Sequence, residues 1–164
     1  MAIEEFVTRG AVLEPPSEPQ GVLAERAGTF VTLRRTNGQL RGCIGTVSPS
    51  QENVAREIIH NAIRAATADP RFSGVTEKEL PGLLYGVDVL SPSETVQGPQ
   101  DLNPSVFGVI IETLDGSRRG LLLPDIEGVE TVEQQWLAVH EKSGIIPGTP
   151  VRVQRFSVTR FGID

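Results

Sequence analysis

The 164-residue chain has one cysteine, one methionine, one tryptophan, one tyrosine and two histidines, and only 5% of it is aromatic. A single cysteine excludes an intrachain disulfide and fits a reducing compartment. With two histidines and one cysteine, and no paired spacing between them, a zinc site has at most three soft ligands, so no metal is expected. No run approaches the roughly 18 consecutive apolar residues of a membrane span. Met1-Ala2-Ile3-Glu4-Glu5 lacks the basic and apolar regions of a secretory signal, and the expected location is cytoplasmic. Fifteen basic residues against 21 acidic ones leave a net charge of −6, which disfavours a nucleic-acid partner because such binding rests on neutralising phosphates. There is no Walker-type phosphate loop, no GxGxxG opening a helix after a strand and no GxSxG elbow. What remains is a chain of one domain's length, 38% hydrophobic and 22% charged, able to bury a core.

Punctuation by proline and glycine sets the organisation. Ala2–Arg9 reads as a short helix closed by Gly10, followed by an extended loop held open by Pro15, Pro16 and Pro19. Thr29–Arg35 is β-rich, Asn37-Gly38 is a strong hairpin turn, and the sequence from Gln39 to Ile44 returns as a second strand. Ser48, Pro49 and Gln51 form a helix-start signal, which predicts a helix running to about Asp69, before Pro70. Its apolar stripe is Val54, Ala55, Ile58, Ile59, Ala62, Ala65 and Ala66, which leaves Glu57, His60, Asn61 and Arg64 on the polar side. Thr76-Glu77-Lys78-Glu79 opens a short helix, and Leu83–Leu90 reads as a strand. Residues 97–104 are loop. Phe107–Thr113 and Arg119–Leu123 form a second hairpin around Asp115-Gly116, and Thr131 caps a helix that Gly144 stops. Trp136 reads as a core or groove residue of that helix. Val151–Phe161 is a last strand whose faces change phase, which predicts a bulge near Arg155. The pattern is α+β, with an antiparallel or mixed sheet, hairpins and flanking helices, in one domain over residues 1–164.

The two hairpins echo each other. Turn, glycine, two residues, Arg41-Gly42 and an apolar pair in the first match Arg119-Gly120 and its neighbours in the second. Good hairpins converge on such patterns. Leu121 nevertheless stands where the first copy has Cys43, so the strand itself does not demand a thiol. If residues 39–44 alternate, Arg41 and Cys43 share a face, and a guanidinium beside a thiol favours the nucleophilic thiolate. Gly42 and Gly45 on either side let another group approach the backbone. The competing reading is a small buried cysteine that packs under the helix. Asp69-Pro70-Arg71-Phe72 supplies either an arginine to hold an anion near Cys43 or a structural helix stop. Cys43, Arg41 and Arg71 are the candidate chemistry. Leu40, Gly42, Ile44, Gly45, Asp69 and Phe72 are the candidate surround.

Phe30-Val31-Thr32-Leu33, Leu40-Arg41-Gly42-Cys43-Ile44-Gly45, Asp69-Pro70-Arg71-Phe72, Glu79-Leu80 and Arg119–Pro124 resemble the AMMECR domain family. Its bacterial members are called AmmeMemoRadiSam system protein A. The later Gly128–Gln135 and Lys142–Ile145 runs are similar to that branch too, so the match covers nearly the whole chain in order. The resemblance implies an α+β fold of two lobes around a cleft, with the LRGCIG hexapeptide near it. It implies a cytoplasmic protein of unassigned activity and cofactor. It also implies two companions, a Memo-like protein similar to extradiol-type dioxygenases and a radical SAM enzyme. The first helix is shorter than family members usually carry, which fits a miscalled start or a domain cut from a fusion with a Memo-like segment. Two functions follow as expectations: a thiol-centred site at LRGCIG, or a noncatalytic binding module, such as an accessory domain of a dioxygenase-like protein.

Overall fold

The computed structural model describes residues 1–162. The described residues divide into two compact units, Met1–Leu90 with residues 159–162, and Ser91–Val158. Each has its own antiparallel sheet and its own hydrophobic cluster, so the architecture is α+β.

In the first unit, α1 (Ala2–Arg9) closes on Gly10 at φ 66°, as the glycine predicts. The strands β1 (Thr29–Arg35), β2 (Leu40–Thr46) and β3 (Leu83–Leu90) are joined by a late strand, β8 (Val158–Gly162), in the order β2-β1-β3-β8. β2 is therefore an edge strand. The helix α2 (Val54–Thr67) covers one face, and Val31, Leu33, Ala62, Ala65, Ala66 and Leu83 form the core between them. Leu33 is fully buried, worth about 1.5–3 kcal/mol. A 3₁₀ turn (Glu77–Gly82) follows the Thr76/Glu79 capping box.

In the second unit, β4 (Glu94–Val96), β5 (Gly108–Thr113), β6 (Arg119–Leu122) and β7 (Val151–Phe156) form a sheet in the order β4-β7-β5-β6. The helix α3 (Val132–Ser143) starts on the Thr131/Gln134 capping box and stops at Gly144, φ 64°. Val109, Ile111, Leu122, Val139 and Val153 fill this core, with Trp136 packed against it. Among the described residues, no helix is long and apolar enough to cross a membrane.

Three sequence expectations change. The helix expected from Ser48 begins five residues later, at Asn53, whose side chain accepts the Arg56 amide at 3.0 Å. The cause lies in Glu57, which was expected on the polar side and is fully buried. Its carboxylate accepts the amides of Ser50 (2.8 Å) and Gln51 (2.6 Å), so these donors bind a side chain and the segment stays a loop. Asn61 is also fully buried, donating to the Thr29 carbonyl (3.1 Å) and to the Thr46 hydroxyl (3.1 Å). The polar ends of β1 and β2 receive these two side chains, which is why amphipathic periodicity misplaced them. The third change is at the carboxyl end. The phase break is a change of sheet at Ser157, between β7 and β8, and Arg155 keeps its place in the ladder opposite Val109. Nothing in the sequence marks β4, because Glu94-Thr95-Val96 is short and polar.

Candidate functional site

β2 carries the LRGCIG run, and its geometry begins with a bulge. Gly42 sits opposite Leu33 and Leu40 opposite Arg34, so Arg41 is an extra residue with no partner across the ladder. The alternation that would place Arg41 and Cys43 on one face breaks there. The Arg41 side chain is 4% exposed and runs into a socket. Its Nε donates to Glu79 Oε1 at 2.7 Å and its Nη2 to Glu79 Oε2 at 3.1 Å. Nη1 donates to the Ser73 carbonyl at 3.0 Å and Nη2 also to the Gly74 carbonyl at 3.3 Å. The fork of the guanidinium matches a carboxylate in this bidentate way, which suits a buried pair. Arg41 holds the Glu79 carboxyl down to about 2, aided by the Thr76 amide of the capping box.

Cys43 lies opposite Thr32, half-buried, with Sγ 3.4 Å from the Thr32 hydroxyl oxygen. Its peptide is held from the edge of the sheet. The Cys43 amide donates to Asp69 Oδ2 at 2.8 Å, and Arg71 Nη2 donates to the Cys43 carbonyl at 3.4 Å. Arg71 is itself bound to Asp69, through Nε to Oδ1 at 3.0 Å and Nη2 to Oδ2 at 2.7 Å. The Arg71 hydrogen bond holds the Asp69 carboxyl well below the usual carboxylate range, and the Cys43 amide adds to this. The same contact raises Arg71, whose side chain is 53% exposed. Asp69 and Arg71 thus act on the edge strand as a neighbouring strand would, taking one donor and one acceptor that an edge leaves open. The Asp-Pro-Arg-Phe segment leaves the helix after Thr67 so that Asp69 can reach β2. Phe72 completes the arrangement, with the Arg41 and Arg71 guanidiniums 5.8 and 5.5 Å from its ring centre.

The two glycines face groups of this same chain. A Cβ on Gly42 would strike the Ala65 carbonyl oxygen of α2, and one on Gly45 would strike the Phe30 ring. Gly42 thereby lets the edge strand lie against the helix backbone. Ile44 packs on the core at the next inward position, and Leu40 is half-buried before the bulge. The structure therefore brings Arg41, Asp69, Arg71 and Phe72 together around the backbone of residues 41–43. Sequence reasoning missed Glu79 and Thr32. Glu79 had a local explanation as a capping-box residue, which hid its second task. Thr32 follows from the hairpin register alone, counted back from the Asn37-Gly38 turn.

His140 of α3 is 2% exposed, edge-on to Trp136 at 4.7 Å, and burial lowers its pKa.

Residues 1–163 match the AMMECR1 family model. A Thermotoga maritima protein is 50% identical over 161 residues, covering 97% of this chain and 91% of that one. A Clostridium acetobutylicum protein is 39% identical over 97% of this chain, which spans only 34% of that relative's length. The crystal structure of an uncharacterized protein from Pyrococcus horikoshii superposes with a TM-score of 0.90 at 33% identity, covering 99% of this chain and 86% of that one. The same LRGCIG edge, its clasp and the order of both sheets thus sit in a chain that belongs to the AMMECR1 family.

Proposed function

We propose that the protein is a binding module of a system containing a Memo-like protein and a radical SAM enzyme, and that the clasped LRGCIG edge is its rigid platform. One observation carries this reading: both guanidiniums near Cys43 are already committed to internal carboxylates, Arg41 to Glu79 and Arg71 to Asp69. A guanidinium already paired with an internal carboxylate has less charge and fewer donors left for a substrate anion. The test is association of the purified protein with the Memo-like and radical SAM proteins of its own organism, by calorimetry. Binding that survives Cys43→Ser is expected. No heat at about 10 μM, a concentration where transient interfaces register, overturns the module reading.

A thiol-centred site is the second reading, favoured by the half-buried Sγ beside the Thr32 hydroxyl and by the exposed part of Arg71. Alkylation by iodoacetamide across pH decides it. A rate at pH 7 no greater than that of an ordinary thiol, with pKa about 8.5, removes it.

A further inference from the structure

The first unit also carries a groove of about 310 Å³ between α1, the proline-rich loop and the outer face of α2. Its apolar part includes Ile63 with Val12 and Leu13, which are 61% and 39% exposed. Its polar wall is a ladder on one helix: Arg56, His60 and Arg64, each four residues from the next. Four residues of helix rise about 6 Å, so the ladder is about 12 Å long. Arg56 has an exposed neighbour, Glu52, at 3.6 Å. The side chains of Arg64 and His60 have no hydrogen-bond or ion-pair partner among the described residues. Glu14 is the one carboxylate lining the groove. Two arginines on either side of a histidine, over an open apolar floor, are against the trend of a chain whose net charge is −6.

We infer that this groove docks an acidic amphipathic segment of a partner protein, with apolar anchors between Val12, Leu13 and Ile63 and carboxylates along Arg56, His60 and Arg64. The inference rests on the module reading and names the chemistry of the partner surface. The repeat of the ladder decides between occupants. A small carboxylate would satisfy one rung, whereas a helix with acids at i, i+4 and i+8 matches all three. A helix laid in a groove by its apolar face is a common recognition mode. Complementary charge then sets register and on-rate.

The probe is a set of synthetic peptides of about 12 residues, with leucine anchors and glutamates at helical spacing. A scrambled set of equal composition and decanoate serve as controls, and binding is read by fluorescence anisotropy and amide shifts. The expected result is binding that weakens at least tenfold from about 50 to about 500 mM salt. Arg64→Glu should lose at least tenfold, and so should Val12→Asp, which sits on an exposed loop and leaves the core untouched. Equal binding of the scrambled peptides, equal competition by decanoate, or no loss in either variant overturns the inference. A second measurement separates the two readings. Hydrogen exchange of the complex with the associating partner should protect residues 12–15 and 56–64. Association with protection elsewhere overturns the groove and leaves the module. Peptide binding without any association of the proposed partners overturns the module and leaves the groove.

Discussion

The two units present the same hairpin in two versions. In both, the second strand carries Arg-Gly and the glycine lies against a helix: Gly42 against the Ala65 carbonyl of α2, Gly120 against Ser143 and the Val139 carbonyl of α3. The registers also agree, with Gly42 opposite Leu33 and Gly120 opposite Ile111. They part at the arginine. Arg119 pairs in register with Glu112 and is exposed, whereas Arg41 is bulged out of the ladder and buried on Glu79. They part again one residue later. Leu121 is 9% exposed beside buried Ile110, while Cys43 is half-buried beside Thr32, with its peptide clasped by Asp69 and Arg71. The shared glycine is a packing device, and the bulge with its clasp is what the first unit adds. Whatever is specific to LRGCIG lies in that addition.

Removing the Arg41 partner should produce the largest difference between the copies. Glu79→Ala leaves a buried guanidinium without its carboxylate, and should cost about 3–5 kcal/mol. Arg119→Ala, at the matching place in the second unit, should stay within about 0.5 kcal/mol as an ordinary surface change. Urea melts of the two variants check this. Equal costs would mean that the bulge is incidental. The Glu79 contribution also sets an acid limit. Its carboxyl titrates near 2 in the folded chain and near 4.5 unfolded, so its stabilisation is full above 4.5 and fades as pH falls toward 2.

The glycines come next, and here the copies should behave alike. Gly42→Ala and Gly120→Ala each push a methyl group into the covering helix, with an expected cost of about 1–3 kcal/mol. The two costs should be similar, because the new Cβ meets the Ala65 carbonyl in one case and Ser143 Cβ with the Val139 carbonyl in the other, and neither is the far end of a flexible side chain. A neutral Gly42→Ala would show that the strand does not need its contact with α2.

Local chemistry explains which of this was legible beforehand. Asn37-Gly38, Gly10, Gly144 and the Thr76 and Thr131 boxes act within a few residues, so the sequence reveals them and with them most element limits. The repeated Arg-Gly was visible as well, and its meaning was not, since the covering carbonyl of Ala65 lies 23 residues away from Gly42. Arg41 stands out in the sequence beside Cys43, but one bulged residue breaks the period-two argument that would place the two on one face. Glu57 and Asn61 were hidden for another reason. A charge or amide at a helical position reads as solvent-facing unless its hydrogen-bond partners are known: Glu57 accepts from Thr46, Ser50 and Gln51, and Asn61 donates to Thr29 and Thr46.

Breaking the clasp should have a smaller effect than either change above, and a local one. Asp69→Asn removes the carboxylate that accepts the Cys43 amide and binds the half-exposed Arg71. A loss of about 1–2 kcal/mol is expected, in the range of one charge-assisted hydrogen bond. The sharper readout is hydrogen exchange. The Cys43 amide should lose protection while the Leu121 amide, on the unclasped copy, keeps its own. Equal loss at both positions would indicate global destabilisation and remove the clasp as a distinct device.

The smallest effect belongs to the second unit and runs on a different part of the pH scale. His140 is buried and its pKa lies below the ordinary histidine value of 6.5, because burial disfavours the imidazolium. The unfolded chain therefore takes up a proton below about 6.5 that the folded chain refuses, and stability falls as pH drops from there. The slope is at most about 1.4 kcal/mol per pH unit for one such group. Trp136, the one tryptophan of the chain, is in edge contact with His140 and reports on the second unit alone. Urea midpoints followed by its fluorescence should decline between pH 6.5 and 5, where Glu79 and Asp69 remain ionised and the first unit keeps its ion pairs. His140→Phe should flatten that decline and leave the acid limit set by Glu79 in place. A midpoint that falls in parallel in the wild type and in His140→Phe would assign the effect elsewhere. A wild-type midpoint that holds steady to pH 5 would mean that the buried ring takes up its proton at no cost, and the contrast between an acid-limited first unit and a histidine-limited second one would disappear.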